Sequence, residues 1–311
     1  MNFKPILIVP GERKSIFFEI FFKSLKLKKI KSPLVLICNK KIFYSETRKY
    51  KFKNRIEIVS VEKIFQKQFK NKKIYLINIS NQKSNSYVQE CFKLAFKLIK
   101  DGFSNKLING PINKSKTLKK KYLGITEYVA KNFKQKKFAM LIYNKKLSVC
   151  PLTTHLPLKQ VPKNVTKKLI SEKIDLIDNF YKKQLGIKAK IGVTGLNPHC
   201  ESVNSFNEDE KIIPLIIKNK RKKGINVKGP FSSDTIFLKK NREKFDIILG
   251  MYHDQVIGPI KTLFEYDAIN ITMGLPILRV SPDHGPNIQM FKKNKSNPLS
   301  LIKALNFLDK K

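Results

Sequence analysis

The chain has 311 residues, 41% of them hydrophobic, which is enough apolar material for a sizeable core and too much for a disordered segment. Lysine and arginine number 64 against 23 acidic residues, a formal charge of +41. Only six are arginines (13, 48, 55, 221, 242 and 279) and the lysines run the whole length, so the localised basic face of a specific nucleic-acid reader is missing.

A diffuse charge of this kind supplies non-selective attraction to polyanions and faster capture of a phosphorylated substrate. Apolar runs such as residues 16–18 and 21–22 are broken by Glu19 and Lys23, far short of the roughly 20 residues of a membrane span. The amino terminus, MNFKPILIVPGE, lacks the apolar core of a secretory signal. Cys38, Cys91, Cys150 and Cys200 form no Cys-x-x-Cys pair, the pattern of reduced thiols in a cytoplasmic protein.

In chain order, Pro5 to Val9 reads as a buried strand followed by a Pro10-Gly11-Glu12 loop. Residues 14–28 are expected to be helical, and Pro33 to Cys38, Ile56 to Val59 and Ile74 to Ile79 to be strands. Ser84 to Lys100 is the clearest helix of the first half, with Tyr87, Val88, Cys91, Phe92, Ala95, Leu98 and Ile99 at helical spacing before Asp101-Gly102. Leu107-Ile108 is a strand leading into the polar turn 109–114, and Phe138 to Tyr143 with Leu147 to Val149 looks like a strand pair. Asn164 to Tyr181 and Glu208 to Lys222 are helices around a strand at Lys190 to Val193. Asp246 to Met251 and Ala268 to Thr272 are further strands, and Pro298 to Leu308 closes the chain as a helix. Strands alternating with helices imply an α/β fold with a largely parallel sheet. No internal repeat or low-complexity linker marks a domain boundary.

The stretch DIILGMYHDQVIGPIK (246–261) organises the rest: an apolar run stops at a polar cluster, and Lys261 follows the Gly258-Pro259 break. In open α/β sheets ligands bind at the carboxyl ends of strands. All four histidines stand at such breaks, His155 after Thr153-Thr154, His199 in Asn197-Pro198-His199, His253 after Tyr252, and His284 between Asp283 and Gly285. The first three can meet in space. Neutral imidazoles suit zinc, cobalt, nickel or iron and leave positions open for water or substrate. Asp254 can orient a histidine or act as acid or base. Lys261 and Arg279, read as cations at polar turns, can clamp a phosphate or carboxylate. There is no Gly-x-Gly-x-x-Gly, Walker loop, Gly-x-Ser-x-Gly or His-Glu-x-x-His. The residues alone indicate a metal-assisted α/β enzyme with an anionic substrate, its reaction open.

Taken together, NGPINK (109–114), TTHLPL (153–158), GLNPH (195–199), GPFSSDTIF (229–237), MYHDQVIGPIK (251–261) and NITMGLPILRVSPDHG (270–285) resemble the 4-hydroxythreonine-4-phosphate dehydrogenase family of pyridoxal phosphate biosynthesis. The resemblance implies a fold like that of the isocitrate and isopropylmalate dehydrogenases, residues 1–311 forming one dehydrogenase unit of two interleaved α/β subdomains with a cleft between. It implies a homodimer with active sites at the subunit interface, and no membrane or specific nucleic-acid partner. The family's metal ligands fall on His155, His199 and His253, for one zinc, cobalt or magnesium ion. Its substrate contacts fall on Thr126, Lys261, Asn270 and Arg279, and Asp234 and Asp254 match carboxylates of the same site. The implied reaction is NAD- or NADP-linked oxidation of 4-phosphooxy-L-threonine, then decarboxylation to 3-amino-2-oxopropyl phosphate.

The chain departs from the family pattern at three places. The first loop reads PGERKSIFFE (10–19), with Arg13, Lys14 and Phe17 where small residues are usual. The family's Gly-His-Thr-Glu reads Gly124-Ile125-Thr126-Glu127, and a glycine-rich segment is replaced by CESVNSFNE (200–208). These changes leave room for two other readings: a dehydrogenase of another phosphorylated hydroxy acid, of the threonate or erythronate type, or a catalytically silent metal-binding paralogue.

Overall fold

A computed structural model describes residues 3–80, 84–113, 122, 124–202 and 207–310. Lys114 of the 109–114 motif and positions 203–206 of the substituted 200–208 segment lie outside the described residues. The chain divides into two compact units, residues 1–133 with 276–311, and residues 134–275.

The first unit is built on β1 (Ile6–Val9), β2 (Leu34–Cys38), β3 (Ile56–Ile58), β4 (Ile74–Asn78), β5 (Lys106–Asn109) and β12 (Leu278–Pro282). They lie in the order β3-β4-β2-β1-β5-β12, every neighbouring pair parallel. Central strands such as β1, with all four residues buried, read as unbroken apolar runs because helices cover both faces of a parallel sheet. The helices Ser84–Lys100 and Leu299–Leu308 pack against these strands.

The second unit orders β11 (Ile269–Met273), β6 (Ala139–Tyr143), β7 (Ser148–Thr153), β10 (Ile247–Tyr252), β8 (Ile191–Thr194) and β9 (Val227–Phe231) side by side. β6 is antiparallel to both its neighbours, while β7, β10, β8 and β9 are parallel. Its core gathers Ile142, Val149, Ile236, Phe245, Ile248, Val256 and Ile260. Both units are therefore the largely parallel α/β sheets flanked by helices that the alternating pattern implied.

Several local expectations are corrected. Lys40–Lys49 is a helix hidden by its polarity: only Phe43 is buried, and Asn39 caps it by accepting from the amides of Lys41 and Ile42. The expected helix 208–222 is two, Glu208–Lys211 and Ile213–Lys222, because Pro214 suits the first turn of a new helix and not the middle of an old one. β7 runs on past Val149 to Thr153. The polar break after β10 is the start of a helix, His253–Phe264, with Pro259 inside it, so Lys261 stands on a helix and not on a turn. Arg279 is likewise not at a turn but within β12, fully buried.

The bulky first loop is also explained. Arg13 and Lys14 face solvent, whereas Phe17 is buried and stacks on Phe21 with ring centroids 6.0 Å apart. Room for it comes from Gly110: a Cβ there would lie 2.5 Å from the Phe17 ring and 2.0 Å from the Pro10 carbonyl. Gly110→Ala is therefore expected to destabilise the protein by about 2–4 kcal/mol, since the backbone oxygen cannot step aside. A urea-unfolding midpoint indistinguishable from wild type would contradict this packing.

Candidate functional site

The three histidines of the second unit follow three strands that are neighbours and parallel. His155 comes two residues after β7, His253 directly after β10, and His199 five residues after β8, in the order β7-β10-β8. All three therefore emerge at one sheet edge, the carboxyl edge at which α/β proteins bind ligands. The rings of His155 and His253 are 5.9 Å apart, centroid to centroid, and tilted by 34°.

Their backbones are unusual. His155 (φ 27°) and His199 (φ 56°), with Cys200 (φ 62°), occupy left-handed conformations that non-glycine residues rarely adopt. Such conformations persist only where surrounding structure holds them, and they cluster at functional sites. The holding groups are visible. The Asp209 carboxylate is 2% exposed and accepts from the amides of Leu196 (2.6 Å) and Asn197 (3.0 Å) and from Asn197 Nδ2 (2.9 Å), fixing the loop that carries His199. Gln255 Oε1 accepts from Thr194 Oγ1 (2.8 Å) and the Met251 amide (2.7 Å), while its Nε2 donates to the Gly195 carbonyl (2.8 Å). Thr153 Oγ1 donates to the Met251 carbonyl at 2.9 Å, so the ends of β7, β10 and β8 are tied together by side chains. A Cβ on Gly195 would meet Asp209 Oδ1 at 2.8 Å and Cys200 Sγ at 2.6 Å, which is why the loop turns on glycine there.

Around the histidines stand the acidic candidates. His253 Nδ1 and Asp254 Oδ1 are 2.6 Å apart, an arrangement that leaves Nε2 for a ligand and fixes the ring's tautomer. Asp234, on the short helix Ser233–Ile236, is exposed; the Ser232 hydroxyl donates to it and holds its carboxyl below the usual range, with the nearby His199 adding to the effect. A carboxyl so placed is an anion at neutral pH, suited to accept a proton or face a cation rather than to donate. Lys261 lies seven positions beyond Asp254 on the same helix, hence on the same face, and is half-buried. Asn270 on β11 has its Oδ1 buried with no hydrogen-bond partner among the described residues, an acceptor that lacks a donor.

Thr126 and Arg279 belong to the first unit. Thr126 is buried in the helix Ile125–Asn132, whose first residue is Ile125. Arg279 Nε donates to Asn109 Oδ1 at 2.7 Å, and Asn109 Nδ2 donates to the Gly110 carbonyl at 2.9 Å. Burial pulls the guanidinium down to about 10, while the Glu127 carboxylate pulls the other way, so it stays charged at neutral pH.

As the side chains stand, no group of three or more His, Cys, Asp or Glu among the described residues closes around a common metal position. The donor chemistry and shared sheet edge nevertheless fit a divalent ion. Of the three rings, His155 and His253 lie closest to that arrangement, 5.9 Å apart. Asp209 and Gln255 were not among the sequence candidates; an Asp and a Gln whose partners are backbone amides and carbonyls leave no spacing signal.

Residues 28–308 match the family model described as pyridoxal phosphate biosynthetic protein PdxA. The 4-hydroxythreonine-4-phosphate dehydrogenase of Sulfurihydrogenibium sp. (strain YO3AOP1) is 39% identical over 246 residues, 75% of this chain and 76% of that protein. A D-threonate 4-phosphate dehydrogenase from Pectobacterium atrosepticum is 33% identical over 214 residues, 68% of this chain and 66% of that one. The crystal structure of 4-hydroxythreonine-4-phosphate dehydrogenase from Klebsiella pneumoniae superposes with a TM-score of 0.80 at 26% identity, covering 98% of each chain. At the level of fold alone, the likeness reaches the β-decarboxylating dehydrogenases.

Proposed function

The chain belongs to the PdxA family of pyridoxal phosphate biosynthetic dehydrogenases, and we propose that it oxidises 4-phosphooxy-L-threonine with NAD or NADP and a divalent metal ion. The substrate's secondary hydroxyl loses a hydride to the nicotinamide and a proton to a base; the resulting β-keto acid loses carbon dioxide to give 3-amino-2-oxopropyl phosphate. The observation that carries this reading is the emergence of His155, His253 and His199 from three adjacent parallel strands at one edge.

His155, His199 and His253 hold the metal in this reading. A divalent ion there supplies Lewis acidity toward the alcohol and toward the ketone it becomes. Asp254 orients His253 through Nδ1, leaving Nε2 for the metal. Asp234, held as an anion by the Ser232 hydroxyl, is the group suited to take the hydroxyl proton. Lys261, Arg279, Thr126 and Asn270 bind the substrate, the two cations neutralising its phosphate and carboxylate. Asn270 Oδ1 then acquires the donor it lacks, from the substrate's ammonium or hydroxyl. The chain has no classical dinucleotide fingerprint, and positions 203–206, within its counterpart of the family's glycine-rich segment, lie outside the described residues.

The enzyme in this reading is a cytoplasmic homodimer with its sites at the subunit interface. No described helix is long and apolar enough to cross a membrane, and Cys38, Cys91, Cys150 and Cys200 are free thiols. Light scattering on the purified protein checks the dimer.

The test is reduced-nicotinamide formation by zinc- or cobalt-loaded protein with 4-phosphooxy-L-threonine, beside His253→Ala. Turnover in wild type and a drop of at least about 100-fold in the variant are expected, since the reaction loses a ligand of its Lewis acid. Equal rates in both would sink the metal assignment. A second reading, oxidation of D-threonate 4-phosphate, is favoured by Ile125 in place of the family's histidine and by the Pectobacterium relative. Turnover of that substrate alone would replace the first reading with the second.

A further inference from the structure

The first unit carries a second concave feature, at the opposite edge of its sheet from the Pro10–Glu12 and 109–113 loops. Two adjoining cavities of about 310 and 650 Å³ open where β2, β3 and β4 begin, sharing Asn54, Lys72, Lys73 and Ile74 in their walls. Lys28 and Lys29 line the smaller, Arg55 and Glu57 the larger, so five cations, one carboxylate and Asn54 surround one continuous cleft.

None of these five side chains forms an ion pair among the described residues. Two of the five have another reason to be there: Lys28 and Lys29 follow the C-terminal end of the helix Phe17–Leu27, where a cation is favoured by the helix dipole. Lys73 and Arg55 face the Glu57 carboxylate, which Lys67 chiefly and they in part hold below its ordinary range, but three cations, with Lys72, stand against that one carboxylate. The acids nearby are engaged. Glu57 pairs with Lys67, and Asp309 accepts from the amides of Lys31 (2.9 Å) and Ser32 (2.7 Å). Ser32, at the floor of the smaller cavity, is fully buried, and its hydroxyl has no hydrogen-bond partner among the described residues. Like charges gathered in a concavity repel one another, and a bound anion removes that repulsion.

The shape and lining decide what kind of anion. The apolar wall is aliphatic, Leu34 and Ile74 among it, and offers no aromatic ring for a base to stack on, which disfavours single-stranded nucleic acid. The volumes are those of a small-molecule site, and cations in both halves suit more than one phosphate group. We propose that this cleft binds a small molecule carrying linked phosphate groups, at a site separate from the dehydrogenase centre.

The probe is inorganic triphosphate, titrated calorimetrically into the full-length protein at near-physiological salt. One saturable site per chain is expected. Lys72→Glu/Lys73→Glu should weaken it by at least about tenfold, through the loss of two charge-assisted contacts. Lys222→Glu/Lys223→Glu, on the second unit and of equal charge change, should alter it by less than about twofold. His253→Ala should bind as wild type does, so this result stands apart from that of the dehydrogenase assay. Should the glutamate pair fail to fold, Lys72→Gln/Lys73→Gln beside Lys222→Gln/Lys223→Gln gives the same comparison. Equal weakening in both glutamate pairs, or no saturable binding, would overturn the proposal by reducing the cleft to part of a diffuse positive field.

Discussion

Asp209→Ala is expected to weaken the proposed three-histidine metal site without removing any ligand from it. The carboxylate receives three hydrogen bonds, two from the amides of Leu196 and Asn197 and one from the Asn197 side chain, and it is buried. Alanine leaves three donors without their acceptor and frees the loop that holds His199 in its left-handed conformation. Stability should fall by about 2–4 kcal/mol, the cost of orphaning buried donors that faced a charge. Zinc affinity, measured by competition with a chromophoric chelator, should fall roughly 10- to 100-fold, as when the groups that orient metal ligands are removed. Asp209→Asn keeps one acceptor oxygen and should recover part of both losses. Zinc affinity unchanged in Asp209→Ala, in protein shown to be folded, would mean that His199 is not a ligand or needs no holding.

What is legible in the sequence follows from how each element is buried. β1, β2 and β10 can be read because a strand covered on both faces must be apolar throughout, as Ile6–Val9 and Leu34–Cys38 are. β12 is concealed because its second residue is Arg279, and a charged residue in a strand core contradicts an apolar strand pattern. The helix His253–Phe264 is concealed for a related reason. Gly258-Pro259 signals termination, yet a proline six positions into a helix removes only one donor, and Val256 and Ile260 still bury on its inner face. The histidines stand out because only four exist and each follows a strand. Asp209 and Gln255 do not, since in a chain 28% charged nothing distinguishes a buried carboxylate from a solvated one until the fold brings backbone amides to it.

Arg279→Met should cut turnover severely while leaving the protein folded. The guanidinium sits fully buried in β12, with Nε donating to Asn109 and the Glu127 carboxylate as countercharge. Removing it orphans the Asn109 oxygen, at about 1–3 kcal/mol, and takes the countercharge from Glu127, but it also removes the desolvation penalty that burial imposes on the cation. The relief offsets part of the cost, so net stability should fall by less than the ~3–5 kcal/mol typical of breaking a buried charge pair. Linkage gives a further check. The folded value of about 10 lies below the guanidinium's ordinary value, so the folded protein binds fewer protons than the unfolded one only between the two, and wild-type stability gains on the variant with rising pH only there. From about pH 6 to about pH 9 the guanidinium is protonated in both states, and the stability difference should be flat. Activity should behave differently. If Arg279 meets the substrate's anionic group as proposed, its loss should lower kcat/KM by about 1,000-fold, roughly 4 kcal/mol of transition-state stabilisation. A variant that keeps full kcat/KM would return Arg279 to the architecture of β12 and leave Lys261 to meet the substrate's charge.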